Sequence, residues 1–233
     1  MKRLITTRLF RARITALVAV LALFMQVAEA MAGNTVIFDN GAPDQQKGNE
    51  VTQWVQLEDF MVELPEILTD CHFWTFEGAG APGGGNPWDG TLEYWVFADN
   101  VGTPGAIIDS GSGQNIVRTG TGVIVLEAYN EFAYNFDMEP VPLVAGNIYW
   151  LGLHLASDYT DRDEIYWETT NPELGAFGST GIESFGGTFD NWANNDRHHA
   201  FYLTTPELTT MALLGLGALS LLRRKRSVRN SVN

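Results

Sequence analysis

Chemistry in this 233-residue chain has to come from four histidines, one cysteine, seven tryptophans and 28 acids set against 14 bases. His72 and His154 stand among strand-like apolar residues and read as structural. His198 and His199, with Asp196 nearby, could ligate a metal, but consecutive residues of a strand point to opposite faces, which argues against a shared ligand role. No H-E-x-x-H or G-x-S-x-G pattern occurs. The nearest text, Asp109-Ser-Gly-Ser-Gly113, lacks the spacing and the hydrophobic strand of a nucleophile elbow. Paired carboxylates can hydrolyse glycosides, but among this many acids a pair carries no information. The chain therefore reads as non-enzymatic, with a secreted hydrolase kept as an alternative.

Two binding chemistries are written more locally. Asp158, Asp161, Asp163 and Glu164 form the densest run of oxygen ligands, and spaced carboxylates on a loop can hold calcium. The EF-hand spacing and its central glycine are missing, and Arg162 would oppose a cation. No other cofactor is expected. Among the tryptophans, Trp74, Trp95, Trp150 and Trp167 lie in strand-like text and are expected in the core. Trp88 and Trp192 lie in polar loops between Asn and Asp residues, where a ring either covers the core edge or stacks on a sugar. A glycan-binding module would use these two.

The elements that must position such residues are strands. Helical periodicity is nearly absent in the middle of the chain, and apolar alternation recurs between Gly, Asn, Asp and Pro. Strands are expected at 35–38, 58–64, 67–76, 91–98, 129–138, 147–155 and 199–203. In the 58–64 stretch Phe60, Val62 and Leu64 face inward and Asp59, Met61 and Glu63 outward. In 129–138, Glu131, Asn135 and Asp137 face solvent. The segment Val96–Ile108 reads as strand, tight turn, strand. Glycine-rich stretches at 78–87 and 175–195 read as loops. Without intervening helices, this pattern predicts one all-β domain over 31–204, an antiparallel jelly-roll-like β-sandwich. Cys71 has no internal partner for a disulfide and is expected to be a buried small hydrophobe.

Both ends differ from this middle. Lys2, Arg3, Arg8, Arg11 and Arg13 precede the uncharged run 14–27, and Ala28-Glu29-Ala30 supplies small residues at a cleavage site. Residues 1–30 thus read as a signal peptide, cut after Ala30 or alternatively after Ala32, rather than an uncleaved anchor. At 205–233, Pro206-Glu207 is followed by an apolar segment at 211–222, a short hydrophobic helix, and then by Arg223, Arg224, Lys225 and Arg226. Basic residues directly after an apolar segment stay in the cytoplasm, so the body before it is placed outside. The apolar run is short for a permanent span of ~30 Å of hydrocarbon, which suits transient insertion.

This order of Pro206-Glu207, apolar segment and basic cluster resembles the PEP-CTERM sorting signal. The usual tripeptide ends in Pro; here Leu208 takes its place. The resemblance implies a bacterium with a Gram-negative envelope and an exopolysaccharide system. It also implies processing by an exosortase, a membrane-embedded cysteine transpeptidase-like enzyme, after signal peptidase has acted. The stretches Val96–Ile108 and Pro142–Leu151 are similar to β-sandwich ectodomains often attached to such tails.

Between the ends, at 31–204, only Lys47, Arg118, Arg162 and Arg197 oppose 26 acids, a net charge of −22. That charge argues against nucleic acid as a partner and favours a soluble body in a salty exterior. The expectation is an exported cell-surface or extracellular-matrix protein, with exopolysaccharide as its further partner.

Overall fold

Runs rich in Val, Ile, Phe, Tyr, Trp and Thr, cut by turn-forming residues, have only sheets open to them, and the computed structural model consists of sheets. It describes residues 34–78, 88–171 and 180–206, and among these there are thirteen strands and no helix. They are β1 (Asn34–Asp39), β2 (Pro43–Glu50), β3 (Trp54–Met61), β4 (Glu66–Glu77) and β5 (Glu93–Asp99). There follow β6 (Pro104–Ser112), β7 (Gln114–Val125), β8 (Tyr129–Leu143) and β9 (Ile148–His154). The last are β10 (Ile165–Thr170), β11 (Ile182–Phe185), β12 (Ala193–Asn194) and β13 (Phe201–Pro206). The expected signal peptide and the sorting segment from Glu207 onward lie outside the described residues, as does the loop at 79–87. The sandwich belongs to the compact unit Val36–Thr205.

One sheet has seven strands, ordered β1-β13-β4-β10-β2, with β8 on β4 and β7 on β8. The other has six, ordered β12-β11-β3-β9-β5-β6. β4 is long enough to pair with β8 along one edge and with both β13 and β10 along the other. Inward residues of the two sheets meet in one core. Phe60, Tyr94 and Leu151 come from the six-stranded sheet, and Phe73, Phe136, Trp167 and Phe201 from the seven-stranded one. Each such side chain removed from water contributes about 1.5–3 kcal/mol. Cys71 sits among them fully buried, and burial pushes its thiol well above the ordinary range.

The sheet face away from this core is not simply polar. Val55, Leu57, Phe97, Trp150 and Ile182 form a second apolar layer outside the six-stranded sheet, with Phe189, Trp192 and Tyr159 packed on it. This layer explains why β3, β5 and β9 are apolar on both faces. It also corrects the expected exposure of Asp59, which is buried on this outer side. Leu64, expected inside, is 66% exposed because β3 ends at Met61 and the alternation stops there. Glu131, expected in solvent, is buried and accepts a hydrogen bond from Gln45 Nε2 at 3.1 Å. Trp150 and Trp167 are fully buried as expected, whereas Trp74 and Trp95 lie half-buried on outer faces against Tyr202 and Phe189.

Several strands have no hydrophobic signature. β2 reads PDQQKGNE and is held by pairing with β10. At Gly48 a Cβ would lie 2.8 Å from both Phe76 Cε1 and the Trp167 carbonyl oxygen, so only glycine lets β2 run this close. β7 is rich in Thr and Gly and pairs with β8 through two register shifts. The loop expected over 175–195 contains the short strands β11 and β12.

Candidate functional site

The chain crosses from the seven-stranded to the six-stranded sheet at 51–53, between β2 and β3. Polar side chains concentrate around this crossover. Glu50 takes the backbone N–H of Thr52 and of Gln53 on its two carboxylate oxygens, at 2.6 and 2.9 Å. Thr52 Oγ1 accepts the N–H of Asp163 at 3.0 Å, and the Thr52 carbonyl accepts His154 Nε2 at 2.9 Å. Gln53 Nε2 donates to the Thr160 carbonyl. The crossover is therefore stitched to the loop at 156–164.

That stitching accounts for the acid-rich loop differently from a calcium site. Asp158 turns its carboxylate onto its own Thr160 backbone N–H at 2.8 Å. Asp161 contributes its carbonyl and Asp163 its N–H to Thr52, and Glu164, at φ 54°, gives its carbonyl to the N–H of Gly78. The loop thus engages through its backbone. Among the described residues no group of three or more His, Cys, Asp or Glu is gathered to hold a metal ion.

Beside the crossover lies an open cleft of about 270 Å³. One wall is β2, through Gly48, Asn49 and Glu50; another is the start of β3, through Trp54 and Gln56. Arg162, Tyr166 and Glu183 complete it. Its parts are held before any ligand arrives. Gln56 Nε2 donates to the Glu50 carbonyl at 2.9 Å and to Glu183 Oε2 at 3.0 Å, while its Oε1 accepts Asn195 Nδ2. Arg162 Nη2 donates to Tyr166 Oη at 2.8 Å, and the Tyr166 ring stacks on Phe76 with centroids 5.0 Å apart. Trp54 is half-buried and meets Phe185 edge-on at 4.9 Å. Asn49 Oδ1 is buried and has no hydrogen-bond partner.

A second polar constellation is sealed inside. Glu58 of β3 is fully buried. His198 Nδ1 donates to its Oε1 at 2.9 Å, and His199 donates to its Oε2 from both Nδ1, at 3.0 Å, and the backbone N–H, at 2.9 Å. The two histidines were expected on opposite faces. They converge because they precede β13 rather than belong to it, after Asp196 has turned the chain at φ 54°. The His199 ring lies on Trp167 at 4.5 Å. The hydrogen bond to Glu58 raises the pKa of His198. Next to this group, burial and then the charge of Glu58 raise the Asp59 carboxyl from 3.8 to about 7. On the far side of the other sheet, burial and then Glu131 raise Glu168 from 4.5 to about 8.

The sugar-stacking candidates lie apart from both constellations. Trp88 is half-buried against the main core, edge-on to Tyr134 at 5.3 Å, and its Nε1 donates to the Thr91 carbonyl. Trp192 is half-buried in the outer layer, stacked on Phe189 at 5.6 Å and edge-on to Phe97 at 5.7 Å. His154 stacks on Tyr159 and His72 on Tyr202, both in structural roles. Sequence reasoning missed Trp54, Tyr166 and Glu183, and also Glu58. The one local signal was the amide-rich text Thr52-Gln-Trp-Val-Gln56, which places two glutamines around an aromatic residue.

In comparisons with known proteins, no family model matches the chain and no curated protein does.

Proposed function

We propose that this chain is an exported, non-enzymatic protein of the cell surface or extracellular matrix, delivered through its C-terminal sorting tail. The observation that carries this reading is the three-part order of Pro206-Glu207, the apolar segment 211–222 and the basic cluster 223–226. Two further features support it. The body before the tail is a two-sheet all-β unit with a net charge of −22 over 31–204, suited to a hydrated exterior. Its strands alternate between the sheets from β2 to β5 and again from β8 to β11, an alternation that supports the jelly-roll reading. Signal peptidase and an exosortase are the processing partners, and the membrane holds the tail only in transit.

The test is mass spectrometry of both ends of the mature protein from its native host. The expected result is an N-terminus at 31 or 33 and loss of the Arg223–Arg226 cluster. A mature chain that keeps that cluster overturns the sorting proposal.

A second reading, binding of glycan, is favoured by the cleft beside the crossover, where two aromatic rings adjoin amide and charged side chains. The hydrolase reading draws less support there. Glu50 has committed both carboxylate oxygens to backbone N–H groups and Glu183 is engaged by Gln56, so neither is poised as a free acid or nucleophile.

A further inference from the structure

We infer that the cleft at the β2–β3 crossover is a saccharide site, and that it takes a short stretch of a neutral pyranose chain. The inference rests on the glycan-binding reading and gives it a site other than Trp88 and Trp192. Three observations carry it.

The first is shape. The cleft is open and holds about 270 Å³, just below the ~300–1,000 Å³ of sites that enclose a small molecule. An open trough of this size suits a few rings of a polymer passing through, not a whole ligand enclosed.

The second is the kind of surface. A pyranose ring has an apolar C–H face and a rim of hydroxyls that both donate and accept. The half-buried Trp54 and the hydroxyl end of Tyr166, whose ring is stacked on Phe76, line the cleft, amphipathic side chains of the kind that serve such a ligand. Around them stand the two-sided hydrogen-bonding amides of Asn49 and Gln53, with the guanidinium of Arg162 and the carboxylate of Glu183. Gln53, Glu183 and Arg162 are held by partners within the protein, so little ordering cost falls on binding.

The third is charge. Glu50 and Glu183 outweigh Arg162 within the cleft, and the whole body is strongly acidic. Uronate-rich or phosphorylated polymers are repelled from such a surface. A neutral chain is not.

The probe is affinity electrophoresis of the mature protein through native gels containing glucomannan, hydroxyethylcellulose or galactan, with polygalacturonate as the charged arm. The expected result is retardation in at least one neutral gel and none in polygalacturonate. Trp54→Ala and Arg162→Ala are each expected to weaken it at least tenfold, Trp54→Tyr to restore most of it, and Trp192→Ala to leave it unchanged. Circular dichroism and a thermal melt confirm that each variant is folded; if Trp54→Ala is not, the surface variant Arg162→Ala decides. Retardation that survives both cleft variants but is lost in Trp88→Ala or Trp192→Ala overturns this site while keeping the glycan reading. Retardation only by polygalacturonate overturns the neutral ligand. Migration unaffected by every gel overturns both the site and the glycan reading.

Discussion

Asp59 shows how far a residue can depart from what its type suggests. In an alternating strand it stands where an acid is normally solvated, yet both its oxygens are buried without hydrogen-bond partners. Such a carboxyl is stable only when protonated, and its pKa of about 7 expresses this. Glu168, at about 8, is in the same position. For both, the folded protein holds a proton that the unfolded chain releases near pH 4, so folding stability falls as pH rises from about 4 through 7 to 8. His198 acts in the same direction. Its raised pKa means that its contribution is complete below the unfolded value of 6.5 and is lost as pH climbs through the folded value. The protein is therefore expected to be more stable at pH 5 than at pH 8. In Asp59→Asn the urea midpoint should fall less across that interval than in the parent. An identical decline in Asp59→Asn and Glu168→Gln would remove these two carboxyls as its cause. None of this was legible in the sequence, because no local pattern records that a distant loop will cover the outer face of a strand.

At the scale of the element, the segments that read poorly are the ones that build the site. β4, β8 and β9 carry regular alternation and were legible with boundaries shifted by a few residues. β2 has almost no apolar side chain, and its strand conformation comes from the ladder with β10. The cleft joins this strand and the crossover to the start of β3, to Arg162 and Tyr166 at β10 and to Glu183 of β11, so its aromatic residues are far apart in sequence and meet only on folding. The loop after β11 is of the same type. Gly187 there has φ +60°, and a Cβ on it would collide with the Tyr159 hydroxyl and sit 2.7 Å from Cζ. Tyr159 in turn stacks on His154 beneath it. Gly187→Ala is expected to cost about 1–3 kcal/mol, read as a lower denaturant midpoint. An unchanged midpoint would mean that this loop does not seal the outer layer.

Over the whole molecule, charge is the property most plainly written in the sequence. Four bases against 26 acids over 31–204 leave long-range repulsion that no single ion pair relieves. Arg118, half-buried, is engaged locally, with Nη2 2.6 Å from the buried Glu77 and the guanidinium carbon 3.5 Å from the centre of the Phe132 ring. Added salt screens the remaining repulsion, since the Debye length falls from ~30 Å at 0.01 M to ~3 Å at 1 M. The thermal midpoint is expected to rise by about 3 °C or more between 20 mM and 500 mM sodium chloride. A flat or falling midpoint would show that local pairs, not net charge, set the electrostatic balance. The all-β class and the two-sheet arrangement were likewise legible, because every turn signal fell between strands and none between helices. Which strands become neighbours was not, because partners such as β4 and β13 lie some 130 residues apart in the chain.

The place of β13 has a mechanical consequence. It is an inner strand of its sheet, flanked by β1 and β4, and just before it the chain is hitched through His198 and His199 to Glu58 of the opposite sheet. Tension applied at its last residue runs along the strand axis, so the ladder to β4 is loaded in shear with its bonds sharing the force, instead of peeling open one at a time. A body fastened by that end would carry a tug from a moving surface through its strongest direction.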